Sequence, residues 1–125
     1  MPFVVSRRGR APGLGSPAGR LVVWTVVAVH LVALYWPRVE VPLDVPALSD
    51  KVAHLLLFGV PVALAMAALR RPWPVVGLLA VHAPVSEWLQ ATLLPGRSGD
   101  WRDAVADLVG VAVGVLVGWW VRRRW

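Results

Sequence analysis

Four apolar stretches, separated by short polar or Pro-rich segments, dominate the pattern of the chain. They run from Leu21 to Trp36, from Val52 to Leu69, from about Trp73 to Leu94 and from Ala104 to Val121. A helix needs about 20 residues to cross the hydrocarbon of a bilayer, within a range of about 17–25. The last three stretches meet that length, and the first meets it if it extends back through Arg20, whose long side chain can reach the interface. The pattern predicts an all-α, polytopic membrane protein with four transmembrane helices.

Composition favours the same environment. Of the 125 residues, 58% are hydrophobic and 16% are charged, whereas soluble domains have about 45–50% and about 25%. So large an apolar excess cannot all be buried in the core of a small water-soluble chain. The absence of cysteine excludes disulfides and thiolate metal sites.

The first stretch also has the basic flank of a secretory signal peptide. It ends in "LYWPRVE", which lacks the small-residue cleavage site that such peptides carry. We therefore interpret it as a retained helix.

Basic residues lie at the ends of the stretches that alternating helices would place on one side. They are Arg7, Arg8, Arg10 and Arg20 before the first stretch, Arg70 and Arg71 between the second and third, and Arg122, Arg123 and Arg124 after the fourth. Such residues favour the cytoplasmic side, so both termini are expected there. All seven acidic residues fall in the outward segments, 37–51 and 95–103, or in the adjoining outer halves of the helices. The net charge of +6 thus informs topology, and no nucleic-acid partner is expected.

This orientation divides the chain into three regions and predicts where the protein is located. Residues 1–20 are expected to form a flexible basic cytoplasmic tail, residues 21–121 the four-helix transmembrane domain, and residues 122–125 a basic cytoplasmic end. The predicted location is the cytoplasmic membrane, as a multi-pass protein.

Polar side chains interrupt the apolar stretches near their predicted outer ends. Asp50 and His54 are four residues apart, Glu87 and Gln90 three, and Asp103 and Asp107 four, so each pair shares one side of its helix. An ionisable group at the centre of a membrane helix costs about 2.5–3.5 kcal/mol on insertion scales, and such groups normally face one another or a wet cavity. The sequence predicts one shared polar or ligand-binding cluster of Asp50, Lys51, His54, Glu87, Gln90, Arg97, Asp103 and Asp107.

Simpler interpretations exist for the members near helix ends. Asp50 or Ser49 could cap the second helix, and Ser98 or Asp100 could cap the fourth. Arg97 could be an exposed charge at the rim.

Other polar residues lie away from helix ends. Capping does not account for Glu87 and Asp107. His30 and His82 are each solitary on an apolar stretch, and we expect buried, hydrogen-bonded histidines there. Only His54 is placed near carboxylates, so no metal site and no cofactor are predicted.

Glycines recur every fourth residue on the last stretch, at Gly110, Gly114 and Gly118. Such small-xxx-small stripes let neighbouring membrane helices approach closely. Asp103 and Asp107 continue this face, so the acids should point into the bundle. Packing within the chain and packing against a second copy, which would make a homo-oligomer, remain alternatives.

Two segments resemble the VanZ-like family of bacterial membrane proteins. They are "DKVAHLLLFG" from Asp50 to Gly59 and "EWLQATLLPGRSGDWRDAVADLVGVAVG" from Glu87 to Gly114. The resemblance covers roughly Asp50 to Trp120. One departure is Asp107, where the family often has Asn. The resemblance implies action at the cell envelope, since the member that gives the family its name is associated with low-level resistance to teicoplanin, a lipid-tailed glycopeptide antibiotic.

Three functions are compatible with these residues. A non-enzymatic membrane protein could hold a phosphate or carboxylate headgroup, of a lipid-linked envelope precursor or a glycopeptide, with Lys51, Arg97 and Arg102. A membrane enzyme acting on a lipid-linked envelope substrate could use His54, Glu87, Asp103 and Asp107 as catalytic acid–base groups. A purely structural network would fix helix register and nothing more. No phosphate loop, Ser-His-Asp order or two-histidine metal motif appears, so the sequence leaves enzymatic activity undecided.

Overall fold

The computed structural model describes residues 15–36, 47–94 and 99–124. These residues form four helices: α1 (Pro17–Tyr35), α2 (Ala47–Ala68), α3 (Trp73–Leu93) and α4 (Trp101–Arg124). The predicted all-α fold is confirmed, and the described ranges contain no strand.

The ends of the helices differ from the predicted limits. Helix α1 begins at Pro17, four residues before Leu21, because the Ser16 side chain accepts a 3.2 Å hydrogen bond from the Gly19 N–H and proline suits the first helical position. The last four residues of the predicted tail are therefore helical, while residues 1–14 lie outside the described residues. Helix α4 extends through Arg124, so the predicted basic end is helical as far as that residue.

Helices α2 and α4 pack closely along a line of glycines. A Cβ atom at Gly114 would lie 2.5 Å from the Gly59 carbonyl oxygen, and one at Gly118 would lie 2.5 Å from the Ala63 carbonyl oxygen. A Cβ at Gly110 would collide with the Leu55 carbonyl oxygen. The stripe predicted on α4 therefore packs within the chain, against α2, with backbone against backbone.

The apolar core lies between these two helices and their neighbours. Phe58, Val62 and Met66 of α2 are buried with Leu79 and other apolar residues of α3 and with residues of α1 and α4. The imidazole of His30 on α1 is buried too, and its Nδ1–H donates a 2.7 Å hydrogen bond to the Leu57 carbonyl oxygen. Backbone thus pairs one ring nitrogen of this buried side chain, while Nε2 accepts and donates no hydrogen bond among the described residues.

Within the described ranges, three helices are long and apolar enough to cross a membrane: Pro17–Tyr35, Ser49–Ala68 and Trp101–Arg124. Their outer surfaces are rich in large apolar side chains, such as Leu21 and Leu116, which suits a lipid bilayer. Helix α3 has 21 residues and exposes Leu78 in the same way, but His82, Glu87 and Gln90 lower its apolar character. The structure thus establishes three of the four predicted spans by length and composition.

Most of the described arginines lie at one end of the bundle, and the described acidic residues lie at the other. The Arg122 guanidinium, at the end of α4, donates hydrogen bonds to the Met66 and Leu69 carbonyl oxygens, at the end of α2. A Cβ at Gly15, just before α1, would lie 3.5 Å from the Ala68 carbonyl oxygen. The start of α1 and the ends of α2 and α4 therefore share one basic end. The acidic residues of α2 and α4 lie in their first turns or just beyond, at the other end.

Candidate functional site

An ion pair joins the first turns of α2 and α4. The Lys51 ammonium forms a salt bridge and hydrogen bond with the Asp103 carboxylate, and it lies 3.4 Å from Asp100 Oδ2. Lys51 remains partly exposed, whereas Asp103 is almost buried. The ammonium therefore closes the solvent side of a site that continues inward.

The His54 imidazole, one turn further along α2, lies among three carboxylates. Its Nδ1–H donates a 2.9 Å hydrogen bond to Asp107 Oδ1, and Nδ1 is 3.9 Å from Glu87 Oε1. The other ring nitrogen, Nε2, is 3.8 Å from Asp103 Oδ2. Each nitrogen thus has a carboxylate near it, supplied by α3 and α4.

Glu87 joins α3 to the segment before α4. Its Oε2 accepts a 3.2 Å hydrogen bond from the Asp100 N–H. A Cβ at Gly99 would lie 2.8 Å from the Glu87 carbonyl oxygen and 2.8 Å from the Ala91 side chain. Glycine is therefore required where this segment passes over α3, and the close approach brings the Asp100 N–H to Glu87.

Two oxygen atoms of this site are buried without a hydrogen bond. Glu87 and Asp107 have exposed fractions of 6% and 0%. Glu87 Oε1 and Asp107 Oδ2 accept no hydrogen bond from the part of the chain that the structure describes. A buried carboxylate oxygen without a partner is costly, so these two atoms call for a proton, a solvent molecule or a ligand.

The structure brings most of the predicted cluster together. Lys51, His54, Glu87, Asp103 and Asp107 are connected by the contacts above, and Asp50 offers an oxygen within 4.8 Å of ligand atoms of His54 and Asp103. Gln90 is different, because its amide nitrogen donates a 3.1 Å hydrogen bond to the Leu34 carbonyl oxygen of α1. Arg97 lies outside the described residues.

Asp100 is a member of the site that the predicted cluster omitted. Besides contacting Lys51, its Oδ1 accepts a 2.9 Å hydrogen bond from the Arg102 N–H, which confirms the prediction that it could cap the fourth helix. This N–H, together with the Lys51 ammonium, holds the pKa of the Asp100 carboxyl below its usual value. Its spacing of three residues from Asp103 was the signal that could have placed it in the cluster.

The capping interpretation is wrong for the second helix. Helix α2 begins at Ala47, so Ser49 and Asp50 lie inside its first turn instead of preceding it. Asp50 is nevertheless well placed there, because a negative charge in the first turn interacts favourably with the helix dipole.

His30 and His82 form a second polar group, away from the cluster. The Leu57 carbonyl oxygen binds His30, and the Tyr35 hydroxyl is 2.6 Å from His82 Nε2. The prediction of hydrogen-bonded histidines is confirmed for both, although His82 is only half-buried. They are not solitary, because their ring centroids are 5.6 Å apart.

The cluster combines acid–base groups with an excess of carboxylates. Ligand atoms of His54, Glu87 and Asp107 lie within 4.8 Å of one another, and so do those of Asp50, His54 and Asp103. Such a set can transfer protons or surround a cation. Lys51 is already engaged by two carboxylates, so an anion clamp based on this lysine is not favoured.

Comparison with known proteins places the chain in a family. No curated protein and no solved structure matches it. A sequence model of the VanZ/LLP1 family matches residues 17–122, a range that includes nearly all of the four helices and the whole of the cluster. With three helices apolar enough to span a membrane, this multi-pass membrane protein belongs to the VanZ/LLP1 family.

Proposed function

We propose that the protein acts at the outer face of the bacterial cytoplasmic membrane and lowers susceptibility to lipid-tailed glycopeptides such as teicoplanin. The polar cluster around His54, Glu87 and Asp107 is the proposed site of action. The observation that carries the proposal is the position of this buried, acid-rich site at the end of the bundle opposite Arg122 and its neighbours. Family membership supports the setting.

The orientation follows from the two unlike ends. Arg70 and Arg71 follow α2, and Arg122–Arg124 end α4, so the positive-inside rule assigns this end to the cytoplasm. Arg123 and Arg124 also lie over the rings of Trp119 and Trp120, at 3.6 and 4.0 Å from the ring centroids. Aromatic and basic residues are common at the membrane interface, which supports an interface at this position.

Helix α3 is proposed as the fourth span. It starts two residues after Arg71 at the basic end, and near its other end Glu87 meets the acidic first turns of α2 and α4. Its 21 residues measure about 31 Å at 1.5 Å per residue, which matches a hydrocarbon thickness of about 30 Å. Its polar residues Glu87 and Gln90 are buried against other helices, so its hydropathy understates how apolar its exposed surface is.

A binding or catalytic role explains the cluster better than helix register alone. The glycine contacts of α2 and α4 already fix how these helices pack, and buried ionic groups are weak contributors to stability. The unpartnered oxygens of Glu87 and Asp107 would destabilise a purely structural network, because unpaired buried polar groups are costly. Because carboxylates outnumber cationic groups within the described part of the cluster, the cluster favours a positively charged ligand group.

The test is teicoplanin susceptibility in a sensitised bacterial host. Expression of the wild-type chain should raise the inhibitory concentration, and Glu87→Gln and His54→Ala should abolish the effect at unchanged membrane abundance. Thr92→Val, on the exposed surface of α3, is the matched control and should behave as wild type. Loss of abundance in both cluster variants would support a structural network, and unchanged protection by both would contradict the proposal.

An enzymatic function is the second candidate. The hydrogen bond between His54 and Asp107, with Glu87 beside it, is an arrangement that can orient an imidazole as a general base. The substrate would be a lipid-linked envelope precursor that reaches the cluster from the outer leaflet. Turnover of such a precursor by the purified protein, lost in Glu87→Gln and kept in Thr92→Val, would establish the enzyme over a binding protein.

A further inference from the structure

We propose that His54, Glu87 and Asp107 form a binding site for one divalent transition-metal ion, for which Zn²⁺ is the probe. The three side chains come from α2, α3 and α4, all three are buried, and their ligand atoms lie within 4.8 Å of one another. This site goes beyond the proposed function and does not depend on it. It also revises the prediction from sequence, which counted histidines and found only one near acids.

The two unpartnered oxygens are the first argument. Glu87 Oε1 lies 3.9 Å from His54 Nδ1, and neither it nor Asp107 Oδ2 accepts a hydrogen bond from the described residues. In contrast, Glu87 Oε2 is held by the Asp100 N–H. One oxygen of Glu87 is therefore fixed by the backbone while the other is left free toward the imidazole, as expected of a ligating carboxylate with outer hydrogen bonds.

Charge balance is the second argument. Lys51 neutralises Asp103 through their ion pair, but no described cation pairs with Glu87 or Asp107 when His54 is neutral. Two ionised, buried carboxylates are expensive without a counter-charge. A divalent ion between them and a neutral imidazole brings the net charge of the three side chains and the ion to zero.

The His54 imidazole is placed so that it can coordinate a metal ion through Nδ1. Nδ1 binds an ion only without its proton, so the ring proton then sits on Nε2, where Asp103 Oδ2 is 3.8 Å away. A small movement turns this contact into the carboxylate–histidine hydrogen bond that typically orients ligating imidazoles. Tetrahedral ligands about 2.1 Å from zinc are about 3.4 Å apart, close to the 2.9 and 3.9 Å that separate Nδ1 from the two carboxylates.

The alternative triad of Asp50, His54 and Asp103 is less suitable. Asp103 is bound by the Lys51 ammonium, whose positive charge opposes a metal ion at the same carboxylate. Three protein ligands at the preferred site leave a fourth position open, the arrangement found in catalytic zinc sites. One nitrogen and two oxygen ligands favour zinc or manganese over magnesium and calcium, which prefer oxygen alone.

The experiment measures binding by the full chain purified in detergent with a tag that contains no histidine. After treatment with a chelator and its removal, Zn²⁺ titration should give one ion per chain, and bound zinc should raise the melting temperature. Glu87→Gln and Asp107→Asn, which keep side-chain size, should weaken binding at least tenfold. His82→Gln removes a histidine outside the triad and should bind as wild type.

Each outcome decides the proposal. Folded wild-type protein that takes up no stoichiometric zinc would overturn it, and so would Glu87→Gln and Asp107→Asn variants that bind as tightly as wild type. If these variants do not fold, X-ray absorption of the wild-type zinc complex decides instead, because the triad predicts one nitrogen ligand and an ion bound only by oxygen would refute it. The measurement uses no antibiotic, so its failure would leave the proposed susceptibility function standing, and the reverse also holds.

Discussion

His54 donates a 2.9 Å hydrogen bond from Nδ1 to Asp107 Oδ1, and the accepting side chain is completely buried. The two residues are 53 positions apart in the chain, so this bond ties the first half of α2 to the first half of α4. It lies directly above the glycine contacts of the same two helices. The buried hydrogen bond and the close backbone packing thus involve the same helix pair.

This hydrogen bond should appear as a coupling energy. Neighbouring residues in a buried network couple by about 0.5–3 kcal/mol in double-mutant cycles, and we expect about 1–2 kcal/mol between His54→Gln and Asp107→Asn. Reversible unfolding in mixed detergent micelles measures it. The control cycle pairs His54→Gln with Thr25→Val, on the exposed surface of α1, and should be additive. An additive result for the buried pair would contradict the hydrogen bond.

Glycine at position 114 should be essential for the contact of α2 with α4. Gly114→Ala places a methyl group 2.5 Å from the Gly59 carbonyl oxygen, and overpacking of this kind costs about 1–3 kcal/mol. Gly77→Ala is the matched control on α3, because its methyl group meets nothing within 4 Å, and it should be neutral or stabilising by about 0.5–1 kcal/mol. Equal effects of the two substitutions on the unfolding free energy would refute the close approach.

Topology can be tested with single cysteines, since the chain has none of its own. Four spans predict that Arg71→Cys and Arg124→Cys are labelled only from the cytoplasm and Asp44→Cys only from outside. Buried Val62→Cys should resist labelling from both sides. If α3 does not cross the membrane, Arg71 and Arg124 must fall on opposite sides, an outcome that would remove the fourth span.

Asp100 should make stability depend on pH in the acid range. The Arg102 N–H and the Lys51 ammonium lower the pKa of Asp100 in the folded state. Its carboxylate therefore stabilises the fold at pH values above the unfolded pKa of 3.8. This stabilisation is lost as the pH falls through the lower pKa of the folded state. Asp100→Asn keeps an oxygen for capping but removes the charge. Its melting temperature should be below that of wild type at neutral pH and converge with it in acid. A constant difference at all pH values would contradict the ion pair.

The positions of the helices could be predicted because long apolar runs between Pro- and Arg-rich segments allow few alternatives. Their ends could not, since α1 begins where the Ser16 side chain accepts a hydrogen bond from the Gly19 N–H, a contact that the apolar pattern does not show. The apolar pattern also predicted that α3 crosses the membrane like its neighbours. Its polar residues are tolerated because other helices cover them, which is a property of the bundle and not of the segment.

The depth of the cluster residues along the helices could be predicted, but the neighbours that their side chains face could not. Glu87 and Gln90 lie three residues apart, which places them on adjacent parts of a helix surface, about 60° apart at 3.6 residues per turn. That angle is enough for Glu87 to face His54 while Gln90 faces the Leu34 carbonyl oxygen of α1. The helix that contacts the α4 glycines could not be predicted either, because a small-residue stripe does not identify its partner. The structure shows that the partner is α2, with Gly59 opposite Gly114.

The salt bridge of Lys51 with Asp103 has a consequence for biosynthesis. The two residues are separated by 52 positions, so the ribosome completes α2 well before α4 emerges. During that interval Lys51 and His54 have no acidic partner from α4. The arrival of α4 then completes the charge pairing with Lys51 and the glycine contacts with α2 together.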